Sequence, residues 1–220
     1  MSFVLHVSRL KHTLYSTAVS LAVASCVLLP IRARAQGAAD LPIDARAKGL
    51  KTAPVTVYEM ADFQCPFCRD FALGTLPTIE KEYIKTGKVR WVFINLPIPS
   101  IHQNAMAAAE FAACAARQGR FWPTHDMLYQ THDKWENLKS AAPFFQSQIP
   151  TLGLKQDAML ACLSSGAGAA TVKDDVAGAE RSGARSTPTF YIEGGLMDGA
   201  QPIEIFRRVL DSVYKAKRKG

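Results

Sequence analysis

The nine residues 62–70 read DFQCPFCRD, and they place Cys65 and Cys68 three positions apart with Pro66 and Phe67 between them. Proteins use two cysteines at this spacing to hold a metal, to close a structural disulfide, or to exchange electrons as a dithiol and disulfide pair. The neighbouring sequence decides among these uses, because it determines which structural element carries the two sulfurs.

Strand-like runs flank the cysteine pair. The run 55–60, VTVYEM, is rich in β-branched and aromatic residues and predicts a strand. Apolar residues at helical spacing continue from Cys65 to Gly87, with Pro77 expected to kink or restart the helix. The run 89–94, VRWVFI, predicts a second and central strand. This order indicates a right-handed βαβ unit, so the cysteines lie at the start of its helix.

The middle of the chain is predicted to be helical. Between 97 and 183 the apolar spacing gives no strand, and the segment is too long and too well patterned for a loop. Strand character returns at 189–192 and 196–197, before a final helix over 202–217. The helices predicted in the middle segment cover 102–118, 123–132, 140–148, 156–164 and 171–181.

These elements predict an α/β fold with a helical insertion. The sheet domain comprises residues 54–96 and 184–220, and the insertion comprises 97–183. Residues 36–53 show no period and are predicted to be an extended lead-in. With 220 residues and 48% apolar content, the chain can bury a core without depending on disulfides.

The first 35 residues have the pattern of a secretory signal peptide. Arg9 and Lys11 precede an apolar run over 14–29, and small residues before Gln36 predict cleavage after Ala35. An uncleaved membrane anchor and a lipoprotein processed at Cys26 are the alternatives. Each of these readings exports the folded part, so we expect a periplasmic or secreted protein in an oxidising compartment, where disulfides persist.

The charge of the chain excludes one class of partner. Four of the positive charges in the net charge of +7 lie in the predicted signal peptide, which leaves +3 for the rest. This charge is too small to indicate nucleic-acid binding.

A zinc site or a purely structural disulfide explains the cysteine pair poorly. Zinc needs a second cysteine pair or histidines at ligand spacing, and His102, His125 and His132 show no such spacing. A Cys65–Cys68 disulfide would close a very small ring and constrain the unfolded chain little. We therefore expect no metal and no other cofactor, although a copper-binding module that uses the thiols as soft ligands stays open.

The position at a helix start favours redox chemistry. Unpaired backbone N–H groups and the positive end of the helix dipole stabilise a thiolate there and lower its pKa. Cys65 is then the attacking residue, and Cys68, one turn further along, resolves the mixed disulfide. The same geometry can oxidise or reduce a substrate.

Three other residues are candidates for supporting roles. Glu59, on the predicted strand before the pair, would relay protons to Cys68 if it were buried; the alternative is a carboxylate on a solvated strand face. Thr187-Pro188 precedes the late strand and is a candidate cis peptide bond.

Cys26 is removed with the predicted signal peptide, so Cys114 and Cys162 remain beside the Cys65/Cys68 pair as an even pair in an exported chain. We favour a structural disulfide that ties two helices of the insertion, and the chain-entropy model gives it about 4 kcal/mol of stabilisation. The alternative is a pair of buried free thiols that pack as small apolar groups.

Three stretches in this order resemble the DsbA-like thiol:disulfide oxidoreductases: EMADFQCPFCRDF, HQNAMAAAEFAACAARQGRFWPTHDMLY and GARSTPTFYIEGG. The resemblance covers nearly all of the chain after the signal peptide and implies a thioredoxin-like fold with an inserted helical domain. It also implies the roles of the site: Cys65 as nucleophile, Cys68 as its partner, Glu59 as a buried acid, and Pro188 as a cis-proline whose preceding Thr187 backbone pairs with a substrate strand.

The chain departs from this family at a few positions. Ser186 stands where glycine is common, Glu193-Gly194 replaces an Asn-Gly turn, and Phe67 stands where the most oxidising members have histidine. The last difference predicts a less extreme reduction potential. An oxidase is therefore favoured, and a disulfide isomerase or reductant is the alternative.

The expected partners follow from an oxidase function. Reduced exported proteins would bind in extended form in an apolar groove beside Cys65, lined by Phe63, Phe67 and the 187–188 loop. A membrane redox partner would reoxidise the protein, which we expect to be a monomer.

Overall fold

The computed structural model describes residues 41–219, so the predicted signal peptide and the first residues of the lead-in lie outside the described part of the chain. Within that part, the strand-like runs form one five-stranded sheet in the order β1-β3-β2-β4-β5. Strands β2 and β3 are parallel and the other neighbouring pairs are antiparallel, which confirms the βαβ unit. The strands are β1 Ala47–Lys48, β2 Val55–Ala61, β3 Val89–Asn95, β4 Thr189–Ile192 and β5 Gly195–Asp198.

The helical connection from β2 to β3 widens into a π-helical turn at two places. It comprises α1 (Pro66–Asp70), a π-helical turn (Phe71–Thr75), α2 (Leu76–Ile79) and a second π-helical turn (Glu80–Ile84). The predicted irregularity at Pro77 is present as the first π-helical turn, where the N–H of Leu76 donates to the carbonyl of Phe71, five residues earlier. Proline has no N–H to continue the regular ladder, so the wider turn lies just before it.

Helices occupy the chain from β3 to β4, as the apolar spacing predicts. No helix within 41–219 is both long and apolar enough to cross a membrane. The helices are α3 Ala105–Ala116, α4 Phe121–Gln130, α5 His132–Trp135, α6 Ala142–Ser147, α7 Gln156–Ser164 and α8 Ala167–Arg181, and α9 Ile203–Lys217 follows β5.

One face of the sheet packs an aromatic core. Trp91 of β3 and Phe190 of β4 lie against Phe71, from the helical connection, and Phe206, from α9. The ring of Phe71 is 4.6 Å from that of Phe190 and 5.3 Å from that of Phe206, between ring centroids. Aromatic contacts of this kind stabilise a core beyond the area they bury.

The other face of the sheet is covered by α8. Met60 of β2 packs in a buried cluster with Ala179 of α8, and the partly buried Ile94 of β3 lies against them. Burial on both faces explains why the central strands read as nearly continuous apolar runs in the sequence.

The lead-in is more ordered than the sequence predicts. Instead of an irregular extended segment, it forms a 3-10 helix (Ile43–Arg46) and the edge strand β1, which pairs with β3. Buried Arg46 forms an ion pair with Asp175 of α8, and Asp175 also accepts a 2.6 Å hydrogen bond from the side-chain amide of Asn95. A two-residue strand gives no sequence pattern, so this segment depends on its tertiary partners.

Cys114 and Cys162 form a disulfide between α3 and α7, which decides between the two alternatives for this pair. Gly168, at the start of α8, lies against it: a Cβ there would come within 3.0 Å of the Cys114 sulfur and 2.8 Å of the Glu110 carbonyl oxygen. Glycine therefore lets α8 approach α3 beside the disulfide.

Removing this disulfide should destabilise the fold without altering the chemistry of Cys65. The disulfide spans 48 positions, and the loop entropy of the unfolded chain predicts a loss of about 2–4 kcal/mol in the free energy of unfolding for the double variant C114A/C162A. Urea unfolding measures this loss, and the ionisation of Cys65 serves as the control. A loss below about 1 kcal/mol would contradict the expectation.

Candidate active site

Among the described residues, the two free cysteines lie where β2 leads into α1. Cys65 is the N-cap residue of α1, Pro66 occupies the first turn, and Cys68 lies inside the helix. Both are buried, with 4% of Cys65 exposed and none of Cys68. The small exposed fraction of Cys65 makes it the sulfur that a substrate can reach.

The surroundings separate the two thiols in acidity. A hydrogen bond from the Cys68 side chain lowers the pKa of Cys65 to about 6 against the effect of burial, and hydrogen bonds from the Thr187 side chain and from the backbone of Cys68 and Phe67 add to it. Burial, together with the hydrogen bond to Cys65 and its charge, raises the pKa of Cys68 well above its usual value. Cys65 is thus a thiolate at neutral pH while Cys68 keeps its proton.

The loop before β4 faces Cys65. The Thr187–Pro188 peptide bond is cis, and the Sγ of Cys65 lies 3.4 Å from the carbonyl oxygen of Thr187. The carbonyl of Pro188 accepts a 2.8 Å hydrogen bond from the N–H of Gly199, which follows β5. The sheet edge therefore holds this loop against the reactive sulfur.

Glu59, in β2, is a buried carboxyl group. None of it is exposed; Oε2 accepts a 2.8 Å hydrogen bond from the indole N–H of Trp91, and Oε1 is buried without a hydrogen-bond partner. Burial raises the pKa of Glu59 to about 7, and the charge of Glu59 contributes to the raised pKa of Cys68. The carboxyl group therefore exchanges a proton near neutral pH within electrostatic reach of Cys68, and the solvated alternative for Glu59 is wrong.

Of the two phenylalanines predicted to line a substrate groove, only Phe67 has a side chain available to a substrate, with 63% exposed. The prediction for Phe63 is wrong. Its side chain is 1% exposed and stacks on Phe93 with the ring centroids 4.9 Å apart. Phe63 packs in the core between the sheet and α4, so it supports the site without lining the substrate groove.

Asp62 is a site residue that the sequence did not reveal. Its carboxylate accepts hydrogen bonds from the N–H of Gln64, the N–H of Ile98 and Nδ1 of His102, each at 2.8 Å. Its backbone carbonyl accepts a hydrogen bond from the N–H of Cys65 at 3.1 Å. Forty positions separate His102 from Asp62, so the local pattern could not bring them together.

Gln64 ties the reactive loop to the helical segment. Its amide Nε2 donates to the carbonyl of Glu136 at 2.7 Å, and its Oε1 accepts from the N–H of Asn104 at 2.7 Å. Nε2 of His132 lies 2.8 Å from the Gln64 carbonyl oxygen. These bonds fix the backbone immediately before Cys65.

The histidines considered as metal ligands have other partners. His102 binds Asp62, His132 binds Gln64, and His125 is buried among aromatic rings with Nδ1 on Asp126. Among residues 41–219, no three His, Cys, Asp or Glu side chains are grouped to hold a metal ion.

Comparison with known proteins places this site in a family. A family model described as Thioredoxin matches residues 43–212. "Probable disulfide bond formation protein D" of Bacillus anthracis is 31% identical over 148 residues, a match that covers 66% of this chain and 67% of that protein.

Other relatives are much longer than the match. The proteins named "Na(+)/H(+) antiporter NhaA 3" of Salinispora tropica and "Na(+)/H(+) antiporter NhaA 1" of Salinispora arenicola are 34% and 32% identical over 168 residues. The match covers 76% of this chain but only 24% of each of these relatives. The chain thus spans about a quarter of the length of these relatives.

Solved structures share the fold. Alpha-DsbA1 of Wolbachia pipientis superposes with a TM-score of 0.70 at 23% identity, covering 78% of this chain and 92% of that one. Oxidised BdbD of Bacillus subtilis gives a TM-score of 0.71 at 21% identity, covering 80% and 96%. The thioredoxin-like α/β fold implied by the resemblance is confirmed.

The buried carboxyl of Glu59 should make stability fall as pH rises. Its pKa is raised in the folded protein from 4.5 to about 7, so its contribution is fully present below pH 4.5 and is lost as pH rises through 7. The loss amounts to about 3 kcal/mol. Glu59→Gln keeps an acceptor for Trp91 and should lack this loss.

Urea unfolding between pH 4.5 and 8 checks this expectation. Both proteins should carry C65S/C68S, so that thiol ionisation does not contribute to the curves. Glu59→Gln should become the more stable protein above pH 7, and parallel pH profiles would show that Glu59 does not titrate in this range.

Proposed function

Because the chain belongs to the DsbA-like family of protein-disulfide oxidoreductases, we propose that it is an exported oxidase that introduces disulfides into exported proteins. The observation that carries this proposal is the opposed acidity of the two thiols: the pKa of Cys65 is lowered to about 6, whereas that of Cys68 is raised. A stable Cys65 thiolate stabilises the reduced protein and so makes its disulfide a stronger oxidant.

The exchange begins with the Cys65–Cys68 disulfide. A substrate thiolate attacks the sulfur of Cys65, which forms a mixed disulfide and releases the sulfur of Cys68. A second substrate thiolate then attacks the substrate sulfur of the mixed disulfide and releases Cys65 as a thiolate. The substrate loses two electrons and gains a disulfide, while the protein gains two electrons as a dithiol.

The surrounding residues set the proton flow and the order of release. The low pKa of Cys65 makes it the better leaving group in the second step. The released Cys68 sulfur needs a proton because its pKa is high, and Glu59 is the buried acid in its electrostatic field. Glu59 thus delivers a proton to Cys68 on oxidation of the substrate.

The substrate binds in extended form beside the 187–188 loop. The Thr187 carbonyl lies 3.4 Å from the reactive sulfur, where the backbone of a substrate cysteine has to pass. The exposed ring of Phe67 supplies apolar contact next to it. We assign the groove to Phe67 and this loop, without Phe63.

The cellular setting follows from the leader sequence. Residues 1–35 direct the chain to the periplasm or the exterior, where it acts as a monomer on reduced exported proteins. A membrane redox partner takes the two electrons from the Cys65–Cys68 dithiol and restores the disulfide.

Isomerisation or reduction is the second candidate function. Phe67 adds no positive charge near the thiolate, and this favours a weaker oxidant than a histidine at the same position would give. A copper-binding module would use the same two sulfurs as ligands. Equilibrium dialysis of the wild-type protein with Cu(I), compared with the C65S/C68S variant, distinguishes such binding from redox exchange.

Alanine substitutions of the two cysteines should have different outcomes. Cys65→Ala should abolish oxidation of a reduced protein substrate, because the attacked sulfur is gone. Cys68→Ala keeps the attacking thiolate but lacks the resolving sulfur, so when it attacks a disulfide-bonded protein substrate it should trap a mixed disulfide of Cys65, visible by mass spectrometry of the non-reduced protein. Full activity of Cys65→Ala would refute the proposed function.

The reduction potential of the Cys65/Cys68 couple decides the direction of exchange. A value near −120 mV is expected of a strong oxidant and one near −270 mV of a reductant. Equilibration with glutathione measures it.

Replacing Phe67 by histidine should raise this potential by about 15 to 30 mV, which corresponds to a three- to tenfold change in the equilibrium. The imidazolium would stabilise the Cys65 thiolate, and the exposed position should tolerate the exchange. An unchanged or lowered potential would contradict this expectation.

A further inference from the structure

A buried carboxyl group lies in the loop that leads into Cys65. Asp62, three residues earlier, has a side chain with no exposed surface, and its carbonyl accepts the N–H of Cys65. A carboxylate in this position opposes ionisation of the thiol unless a cation offsets its charge.

His102 is the basic side chain that the structure places on this carboxylate. Its Nδ1 lies 2.8 Å from Oδ2 of Asp62, and its side chain is 16% exposed, so solvent screens the pair only in part. The N–H of Ile98 binds the same oxygen, which fixes the carboxylate towards the loop that carries His102.

We propose that His102 is a positioning residue for Cys65: its imidazolium, held on Asp62, offsets the carboxylate charge beside the reactive sulfur and so stabilises the thiolate. This inference rests on the proposed exchange at Cys65. It assigns the charge control of the site to a residue outside the CPFC motif, on the loop between β3 and α3.

The ionisable groups around His102 support this role. The hydrogen bond to Asp62, opposed by partial burial, raises the pKa of His102, and the charges of Asp62 and Cys65 raise it further. The imidazolium is therefore present while Cys65 ionises and is lost at higher pH. Other ionisable groups also surround the site. Cys68 and Tyr129 both have a pKa well above the usual value. Glu59 is a buried acid, and the His132–Glu136 pair lies beyond Gln64.

The wild-type protein allows a direct test through reciprocity. If the charge of His102 favours the thiolate, the thiolate must raise the pKa of His102 by the same amount. NMR titration of the His102 ring should therefore give a higher pKa in the reduced protein than in the oxidised protein, which has no thiolate. A purely structural partner of Asp62 would titrate alike in both states.

Substitutions test the same coupling from the side of Cys65. In His102→Gln the pKa of Cys65, followed by thiolate absorbance, should rise by about half a unit or more. At pH 7 such a rise weakens the oxidant about 2.5-fold, or about 12 mV.

His102→Lys restores a positive charge and should return the pKa of Cys65 most of the way to the wild-type value. Gln103→Ala, at the exposed neighbouring position, is the matched control and should change neither quantity.

Two results would overturn the proposal. One is a His102 pKa that is equal in the two redox states; the other is a folded His102→Gln protein with an unchanged Cys65 pKa and potential. If His102→Gln does not fold, the wild-type titration decides alone. Either result leaves the proposed exchange intact, since that depends on the loss of activity in Cys65→Ala.

Discussion

The hydrogen bonds that converge on the sulfur of Cys65 are the interaction on which the site depends. Cys65 ends the β2–α1 connection as the N-cap residue, so the backbone N–H groups of Phe67 and Cys68 point towards it, and the Cys68 thiol and the side chain of Thr187 add to them. This sulfur is buried, and burial alone would raise its pKa. The site works because the directed donors outweigh desolvation at Cys65, whereas at Cys68 burial prevails over the backbone hydrogen bond from Asp62 that lowers the pKa.

The fold supplies these donors by bringing distant segments to one end of the sheet. The parallel pairing of β2 with β3 forces a helix to follow β2, and this places the N-terminus of α1 beside the sulfur. The antiparallel pairing of β2 with β4 brings the Thr187–Pro188 loop to the same end. Gln64 then ties the connection to the helical segment through Glu136 and Asn104. The chemistry is thus local, while the positioning is a property of the whole sheet.

Local sequence patterns predicted the parts of the structure that local physics controls. The strands around the cysteine pair, the helix start at Cys65 and the helical middle segment all follow from side-chain type and spacing. The direction of Phe63 did not, because a residue just past a strand end has no period to reveal which side it faces. The Asp62–His102 contact joins segments 40 positions apart and becomes visible only when the fold is known. The disulfide between Cys114 and Cys162 was one of two alternatives, since the number of cysteines gives no distance.

The acidities in the site also explain why geometry alone leaves the direction of electron flow open. The pKa of Glu59 is raised to about 7, so near neutral pH its carboxyl is about half protonated and can give a proton to Cys68 or take one from it with equal ease. The proton relay therefore serves oxidation and reduction alike. What differs between the two directions is the stability of the Cys65 thiolate, which belongs only to the reduced protein. The hydrogen bonds to that one sulfur set this stability first, and the Asp62–His102 pair adjusts it, so together they favour one direction of exchange over the other.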